Sequence, residues 1–277
     1  MRILPALSSP KGLLLLIIGI AAFLRLWGLP SVPPGLYPDE AMNGNNALEA
    51  LATGDSKVFY PENNGREGLF INIQSVSIAL FGNEPWALRL PSALFGILTV
   101  LGVYFLTREL FKGAKIFSSP KPPEASGYGS SEARERAEDK QVSSLGKRSG
   151  LREEEILALF AAFLLATSFW HINFSRIGFR AIMAPAFLTW GVYLLLLSLN
   201  KITIAVSKLK NSKLIRNSKL EIRNLLILPV LAGLVYGLGM HSYIAYRATP
   251  LLIIFIIAAY WLKNKDREVR KQIILNT

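Results

Sequence analysis

The chain has 277 residues, of which 51% are hydrophobic, and the apolar residues lie in long blocks that are almost free of charge. Such blocks are not the pattern of a soluble domain. The absence of cysteine excludes disulfide bonds, thiolate metal sites and cysteine nucleophiles. The formal net charge of +12 does not by itself indicate nucleic acid, because in a membrane protein the position of the charges matters more than their sum.

Six apolar segments follow one another along the chain. The longer ones run about 18 residues, which at a rise of about 1.5 Å per residue is enough to cross about 30 Å of hydrocarbon. The segments are 12–29, 87–107, 156–173, 181–199, 225–241 and 248–262. They predict an all-α fold, a polytopic membrane helix bundle of about six transmembrane helices. The first segment is expected to be retained, because no small-residue cleavage pattern follows it.

The basic residues are sorted between the connections of these segments. Most of the 31 lysines and arginines lie in 108–155, in 200–223 and in the two termini. By the positive-inside rule these parts face the cytoplasm. Segment 112–153 has the composition of a disordered insertion, and 200–223 is predicted to be a basic cytoplasmic loop. We therefore expect a multi-pass protein of the cytoplasmic membrane with a cytoplasmic N-terminus and residues 30–86 outside.

The long connection 30–86 differs from the others in charge and composition. It carries seven acidic residues against Lys57 and Arg66, and it is rich in aliphatic and aromatic residues. A long loop with this apolar content predicts a folded, functional segment rather than a disordered one. Amphipathic helices lying on the membrane are expected over about 40–53 and 66–81.

Charged residues cluster at the predicted outer ends of the helices, where charge is costly and tends to be kept for pairing or function. Arginines near helix ends also snorkel to the headgroups, and Arg25 in particular fits that simpler interpretation. Asp39 and Glu40 follow Pro38 at the start of a predicted helix. Asp39 there fits a plain helix N-cap, and it also fits a general base that takes a proton from an incoming hydroxyl. Nearby arginines would match phosphate oxygens bidentately.

Several short motifs match one known family. They are Leu24-Arg25-Leu26-Trp27-Gly28-Leu29, Pro34-Gly35-Leu36-Tyr37-Pro38-Asp39-Glu40-Ala41, Gly65-Arg66-Glu67-Gly68-Leu69-Phe70, Leu80-Phe81-Gly82, Ala87-Leu88-Arg89-Leu90-Pro91-Ser92-Ala93-Leu94-Phe95-Gly96, Ser175-Arg176-Ile177-Gly178-Phe179-Arg180-Ala181 and Tyr243-Ile244-Ala245-Tyr246-Arg247. On these residues the chain resembles the bacterial and archaeal glycosyltransferases of family 39 in the GT-C superfamily, which are related to protein O-mannosyltransferases. The resemblance extends over most of the chain outside the two predicted cytoplasmic insertions.

The resemblance implies an inverting transfer of a sugar from a polyprenyl-phosphate carrier in the bilayer to a hydroxyl acceptor on a protein, lipid or glycan. Asp39 falls on the family's catalytic aspartate, and Glu40 falls on its acidic neighbour, which helps to hold the acceptor. Arg66 falls on a position associated with the carrier phosphate, where Glu67 and Gly68 replace the prolines of some relatives. The further candidate substrate-binding residues are Glu67, Arg89, Arg176, Arg180, His241, Tyr243, Tyr246 and Arg247.

One departure from the family pattern bears on the donor sugar. Aminoarabinose-transferring members have a basic residue shortly after the acidic pair, whereas this chain has Met42 and Asn43. That departure argues against aminoarabinose as the donor.

The predicted chemistry requires no cofactor, because polyprenyl phosphate is itself a good leaving group, although a divalent cation is compatible with it. The sequence has no Asp-x-Asp motif, and its two histidines, His171 and His241, lie far apart. Interfacial hydrogen bonding is the simpler expectation for each histidine, and no metal ligands are predicted. A nucleic-acid partner is not expected.

Two other interpretations stay open on the sequence. A lipid-carrier or solute transporter would also place arginines in a membrane cavity, although transporters tend to carry polar residues near the midplane and internally repeated halves. A truncated subunit that helps to assemble a partner is the second. Members of the family run well past this length, so we expect the chain to be an N-terminal portion.

Overall fold

The structure, a computed structural model, describes residues 9–113, 151–211, 218–264, 270, 271 and 273, so most of the predicted insertion 112–153 lies outside the described residues. The described helices are α1 (Pro10–Leu26), α2 (Pro38–Thr53), α3 (Gly68–Phe81), α4 (Pro85–Leu110), α5 (Glu153–Thr167), α6 (Phe169–Arg176), α7 (Met183–Asn211), α8 (Ser218–Gly239) and α9 (Pro250–Lys263). An antiparallel hairpin of β1 (Phe59–Tyr60) and β2 (Arg66–Glu67) joins α2 to α3. Short 3-10 turns, Arg180–Ile182 and Ile244–Ala248, precede α7 and α9.

Three helical segments in the described part of the chain are long and apolar enough to cross a membrane: Pro85–Leu110, Arg180–Ala205 and Ile244–Lys263. Helices α5 and α6, which are bent by 57° relative to one another, make a fourth span if the pair is counted as one. The other two predicted segments correspond to shorter elements, the 17-residue α1 and the apolar stretch Ile227–Gly239 of α8. An all-α membrane helix bundle is therefore confirmed.

Two helices extend further than hydropathy predicts. Helix α7 continues to Asn211 and α8 begins at Ser218, so the loop predicted over 200–223 is mostly helical. The predicted loop was too long because hydropathy marks only the end of the apolar run, near residue 199. A helix can continue past that point through polar residues with adequate helix propensity.

The centre of the bundle is the packing of α1, α4 and α5. Its buried residues include Ala158, Ala162 and Ala166, which are spaced four apart on one face of α5. Alanines at this spacing allow two helix backbones to approach closely, which is typical of helix contacts in membranes. Helix α7 packs on α4 and α8 packs on α7. Helix α9 has no fully buried residues, although Ile257 and Tyr260 pack against the cluster that contains Leu199.

The bend between α5 and α6 has a specific cause in Arg25 of α1. This side chain is fully buried, and its guanidinium donates to the carbonyls of Leu165 at 3.3 Å and Ala166 at 3.0 Å. In a continuous helix those carbonyls would accept bonds from the next turn, so the inserted side chain ends α5. Arg25 also lies 2.8 Å from Nδ1 of His171. The interpretation of Arg25 as a snorkelling residue was therefore wrong, as was the single helix predicted over 156–173.

Residues 27–84 fold over one end of the bundle, and we call this segment the cap. Helix α2 packs on α3, and α3 packs on α4. Ala47, Tyr60, Ile71, Ile78 and Leu88 form a buried cluster between them. The two helices predicted in this connection are confirmed, although the second begins at Gly68 because the two residues before it pair in the hairpin.

Candidate active site

A buried ion pair between Glu40 and Arg89 joins the first turn of α2 to the second turn of α4. The two oxygens of Glu40 accept from Arg89 Nε at 2.7 Å and from Arg89 Nη2 at 3.3 Å. They also accept from the backbone N–H of Gly178 at 3.0 Å and from that of Tyr37 at 3.2 Å. Both charged side chains are only 1% exposed. Glu40 is thus fully hydrogen-bonded within the protein.

The remaining donors of Arg89 hold the chain that leads into α2. Nη1 donates to the carbonyls of Leu29 at 3.2 Å and Pro33 at 3.0 Å, and Nη2 also donates to the carbonyl of Gly35. A guanidinium has five N–H donors, and all five are used here. Arg89 therefore fastens the cap to α4, and its predicted role in substrate binding stays a prediction.

Gly178 allows the close approach that completes this arrangement. A Cβ atom at this position would lie 2.9 Å from Nε2 of Gln74 and 3.0 Å from Cγ of Glu40. The connection between α6 and α7 therefore reaches the ion pair only because residue 178 lacks a side chain.

Asp39 stands next to the ion pair but has a different environment. Tyr37 is the N-cap of α2, so the N-cap role considered for Asp39 is not the one it has. The Asp39 carboxylate is partly exposed, and its Oδ1 accepts a bond of 2.7 Å from Asn63 Nδ2. Asn63 belongs to the hairpin turn, where Asn63, Asn64 and Gly65 have φ values of 54°, 64° and 82°. The hairpin turn thus orients the aspartate.

Asn63 is a site residue that the sequence interpretation missed, and a signal for it was present. Asparagine and glycine adopt positive φ more readily than other residues, so the run Asn63-Asn64-Gly65 is typical of a tight turn.

Arg66 and Arg176 bond mainly to neighbouring protein groups. Arg66 is 2% exposed and donates to Asn43 Oδ1 at 2.7 Å and to Asn46 Oδ1 at 2.5 Å. Burial, followed by the nearby charge of Arg180, lowers the pKa of Arg66. Arg176 donates to three backbone carbonyls, those of Leu24, Trp27 and Val32, at 2.8 to 2.9 Å. These arginines fix α2, the hairpin and the end of α1 relative to one another.

A second charged group, which we call the Glu67 cluster, consists of Glu67, Arg180, Tyr243 and Arg247. Arg247 Nη2 lies 3.1 Å from Glu67 Oε1, and Arg180 Nε lies 3.8 Å from Oε2. The Arg180 guanidinium also lies 5.7 Å from the Tyr243 ring centroid. Within the described residues, Glu67 Oε2 and Arg180 Nη1 are buried without a hydrogen-bond partner. Two arginines thus face one carboxylate, and one oxygen of Glu67 and one nitrogen of Arg180 can each still form a hydrogen bond.

The last two candidates lie apart from this cluster. Tyr246 is 2% exposed and packs inside the bundle, where its ring centroid lies 5.4 Å from that of Tyr236. A Cβ atom on Gly239 would meet the Tyr246 ring, so the two are in tight contact. Tyr246 therefore packs tightly within the bundle, and its role in substrate binding stays a prediction. His241 is exposed, and no hydrogen bond or ion pair links its side chain to the Glu67 cluster among the described residues.

A cavity of about 420 Å³ opens beside Asp39. Its walls are mostly apolar and aromatic, and they come from the start of the cap and from the segment 170–179. The lining includes Tyr37, Asp39, Trp170, Asn173, Phe174 and Arg176. Asp39 therefore lines this cavity and, through Asn63, also contacts the turn of the hairpin that leads to Glu67. The described part of the chain contains no group of three or more His, Asp or Glu residues arranged to hold a metal ion.

Fold and site together define an α-helical membrane protein with an acid and arginine site at one end of its bundle. Residues 69–117, which include nearly all of α3 and the whole of α4, match a family model described as dolichyl-phosphate-mannose-protein mannosyltransferase. This similarity supports a glycosyltransferase of the GT-C type. Comparisons with curated proteins and with solved structures found no match.

Proposed function

We propose that the chain is a glycosyltransferase that moves a sugar, with inversion, from a polyprenyl-phosphate carrier to a hydroxyl acceptor on the extracytoplasmic face of the cell membrane. One observation carries this proposal. A partly exposed carboxylate, that of Asp39, is held by Asn63 beside a cavity and next to the hairpin that carries Glu67. Arg180 Nη2 donates at 3.5 Å to the carbonyl of Gly65, in the same hairpin turn whose Asn63 holds Asp39, so this turn connects the two parts of the site.

In this proposal Asp39 is the general base. It takes the proton of the acceptor hydroxyl while the hydroxyl oxygen attacks the anomeric carbon of the sugar. The bond between that carbon and the carrier phosphate oxygen breaks, and its electron pair leaves with the phosphate. Attack from the face opposite the phosphate inverts the anomeric centre. The bond from Asn63 fixes one oxygen of Asp39, so the carboxylate is oriented before substrate binds.

The leaving phosphate needs cations whose donors are not already used. Arg66 and Arg176, the first candidates, donate to protein oxygens. Arg180 has a buried Nη1 without a partner in the described chain, and Arg247 is exposed. We therefore assign the carrier phosphate to Arg180 and Arg247, because phosphate oxygens match guanidinium donors. Glu67 would hold the two arginines in position.

Glu40 has a positioning role in this proposal. Its four hydrogen bonds occupy both carboxylate oxygens, so Glu40 has no free position to bind the acceptor substrate, in contrast to the role that the resemblance implies. It fixes the first turn of α2, and therefore the adjacent Asp39, against α4. Polyprenyl phosphate departs as a stabilised anion, so positioning and electrostatic stabilisation supply most of the catalysis.

The test is transfer of labelled sugar from a polyprenyl-phosphate donor by membranes that contain the full-length gene product. Asp39→Asn should lower kcat by about 10² to 10⁴-fold, the usual contribution of a general base, without lowering the amount of folded protein. The matched control is Asp55→Asn, an exposed aspartate of the same cap, which should leave kcat unchanged. Unchanged activity in Asp39→Asn would remove this residue from the chemistry, and no transfer by the wild-type protein would refute the function.

A further inference from the structure

We infer that the cavity beside Asp39 is the acceptor pocket and that it takes a neutral, hydroxyl-bearing amphiphile from the membrane, of the glycolipid type. This inference rests on the proposed function, because it uses Asp39 as the base. It deepens that function by naming the chemical class of the acceptor.

The size and walls of the cavity are the first support. Its volume of about 420 Å³ lies in the range of small-molecule pockets, which run from about 300 to 1,000 Å³. Trp170, Phe174 and Phe179 supply aromatic walls. An apolar pocket with a single reactive polar group at its edge fits a ligand with an apolar body and one hydroxyl to present. A hydrophilic peptide would leave its own polar groups unpaired against these walls.

The charges around the cavity are the second support. Arg176, which lines it, already donates to three backbone carbonyls. Asp39 is the acidic group at its edge. Because donation to neutral carbonyls leaves the Arg176 guanidinium positive, the charges of Asp39 and Arg176 offset one another, and the cavity lining has no net charge to attract an ionic head group. A neutral head group matches this balance.

The position of the cavity is the third support. Four exposed aromatic residues lie where α1 ends and α6 begins: Phe23, Trp27, Phe169 and Trp170, with exposures of 56%, 72%, 70% and 70%. Arg176, the last residue of α6, donates to the carbonyl of Trp27 and thereby holds α6 against the end of α1. Exposed aromatic residues at helix ends are typical of the headgroup level of a bilayer. Because Trp170 belongs both to this group and to the cavity wall, the cavity opens where a membrane amphiphile would arrive.

The experiment measures binding directly, with the full-length protein in nanodiscs of neutral lipid. The probe is octyl β-D-glucoside carrying a photoreactive group, and labelled peptides are mapped by mass spectrometry. We expect saturable labelling of residues 170–179 that unmodified octyl glucoside competes away. Trp170→Ala should weaken the apparent affinity by about tenfold, because it removes an aromatic wall. The matched control is Phe255→Ala on α9, which is 69% exposed and does not line the cavity, and it should have no effect.

Several outcomes would overturn the inference. Equal labelling in the two variants would mean that the probe reports only partition into the bilayer. Stronger competition by octyl phosphate would mean that the pocket prefers an anion, and competition by a hydrophilic serine-containing peptide would favour a protein acceptor. Asp39→Asn separates this inference from the proposed function, because it should keep probe binding and lose transfer. Specific labelling without sugar transfer by the wild type would support the pocket and refute the function.

Discussion

The buried pair of Glu40 and Arg89 makes a sharp prediction about stability. Arg89→Met removes the positive charge and all five of its donors while keeping an unbranched apolar side chain. Glu40, which is 1% exposed, is then left with two backbone N–H donors and no opposite charge. Removal of one member of a buried ion pair costs about 3 to 5 kcal/mol, because the other charge stays buried without compensation. We expect a loss of this size in the free energy of unfolding.

The assay is unfolding of the purified protein from detergent micelles by increasing SDS, followed for Arg89→Met, Glu40→Gln and the double variant. Because neither charge remains in the double variant, its loss of unfolding free energy should be smaller than the sum of the losses in the two single variants. A coupling of about 0.5 to 3 kcal/mol is expected for groups in direct contact. If the loss in the double variant equals the sum of the two single losses, the two side chains act independently.

The cap offers a matched control in an exposed ion pair. Lys57 Nζ lies 3.2 Å from Glu49 Oε1, a separation close to that of the buried pair. Solvent screens this contact, so Lys57→Met should leave unfolding unchanged. An Arg89→Met variant that unfolds like Lys57→Met would refute the reasoning that the buried pair fastens the cap to the bundle.

Three further predictions concern other parts of the site. Arg247→Ala should raise the KM for the polyprenyl-phosphate donor by about tenfold, because a charged hydrogen bond to phosphate is lost, whereas Lys57→Ala should not. An increase confined to the acceptor KM would contradict this. Gly178→Ala should destabilise the protein by about 1 to 3 kcal/mol, because the new Cβ would crowd the ion pair. Gly233→Ala, with no atom within 4 Å, should be neutral or stabilising in the same unfolding measurement. Arg25→Met should destabilise by about 1 to 3 kcal/mol, since the carbonyls of Leu165 and Ala166 at the α5–α6 break each lose a side-chain donor. A more stable Arg25→Met protein would mean that burial of the guanidinium costs more than its bonds contribute.

The sequence predicted the helices well because hydropathy is a local property. Windows of apolar residues indicate where helices lie without any knowledge of their neighbours. The break after Thr167 is not local. It depends on Arg25, whose bonded carbonyls are about 140 residues away in sequence. No window of residues 156–173 contains that information, so a single straight span was the natural prediction.

The arginines illustrate the same distinction at the site. The sequence indicated correctly that arginines and acids gather at one end of the bundle. It did not indicate which guanidinium groups would be occupied by backbone carbonyls, since that depends on how the cap folds. Arg89 and Arg176 bond loop carbonyls that no residue pattern identifies in advance. Arg180 and Arg247 differ from them only in their tertiary surroundings.

The difference between these two kinds of arginine follows from the cost of burying charge. A buried guanidinium is tolerated when each of its donors has an acceptor, and Arg89 meets that condition. The Glu67 cluster does not meet it, because Glu67 Oε2 and Arg180 Nη1 are both buried without hydrogen bonds in the described chain. Leaving such groups unsatisfied costs about 1 to 3 kcal/mol each. All five donors of Arg89 have acceptors within the protein, whereas Nη1 of Arg180 has none in the described chain. This difference favours Arg180 as the arginine to which a phosphate would supply the missing acceptor.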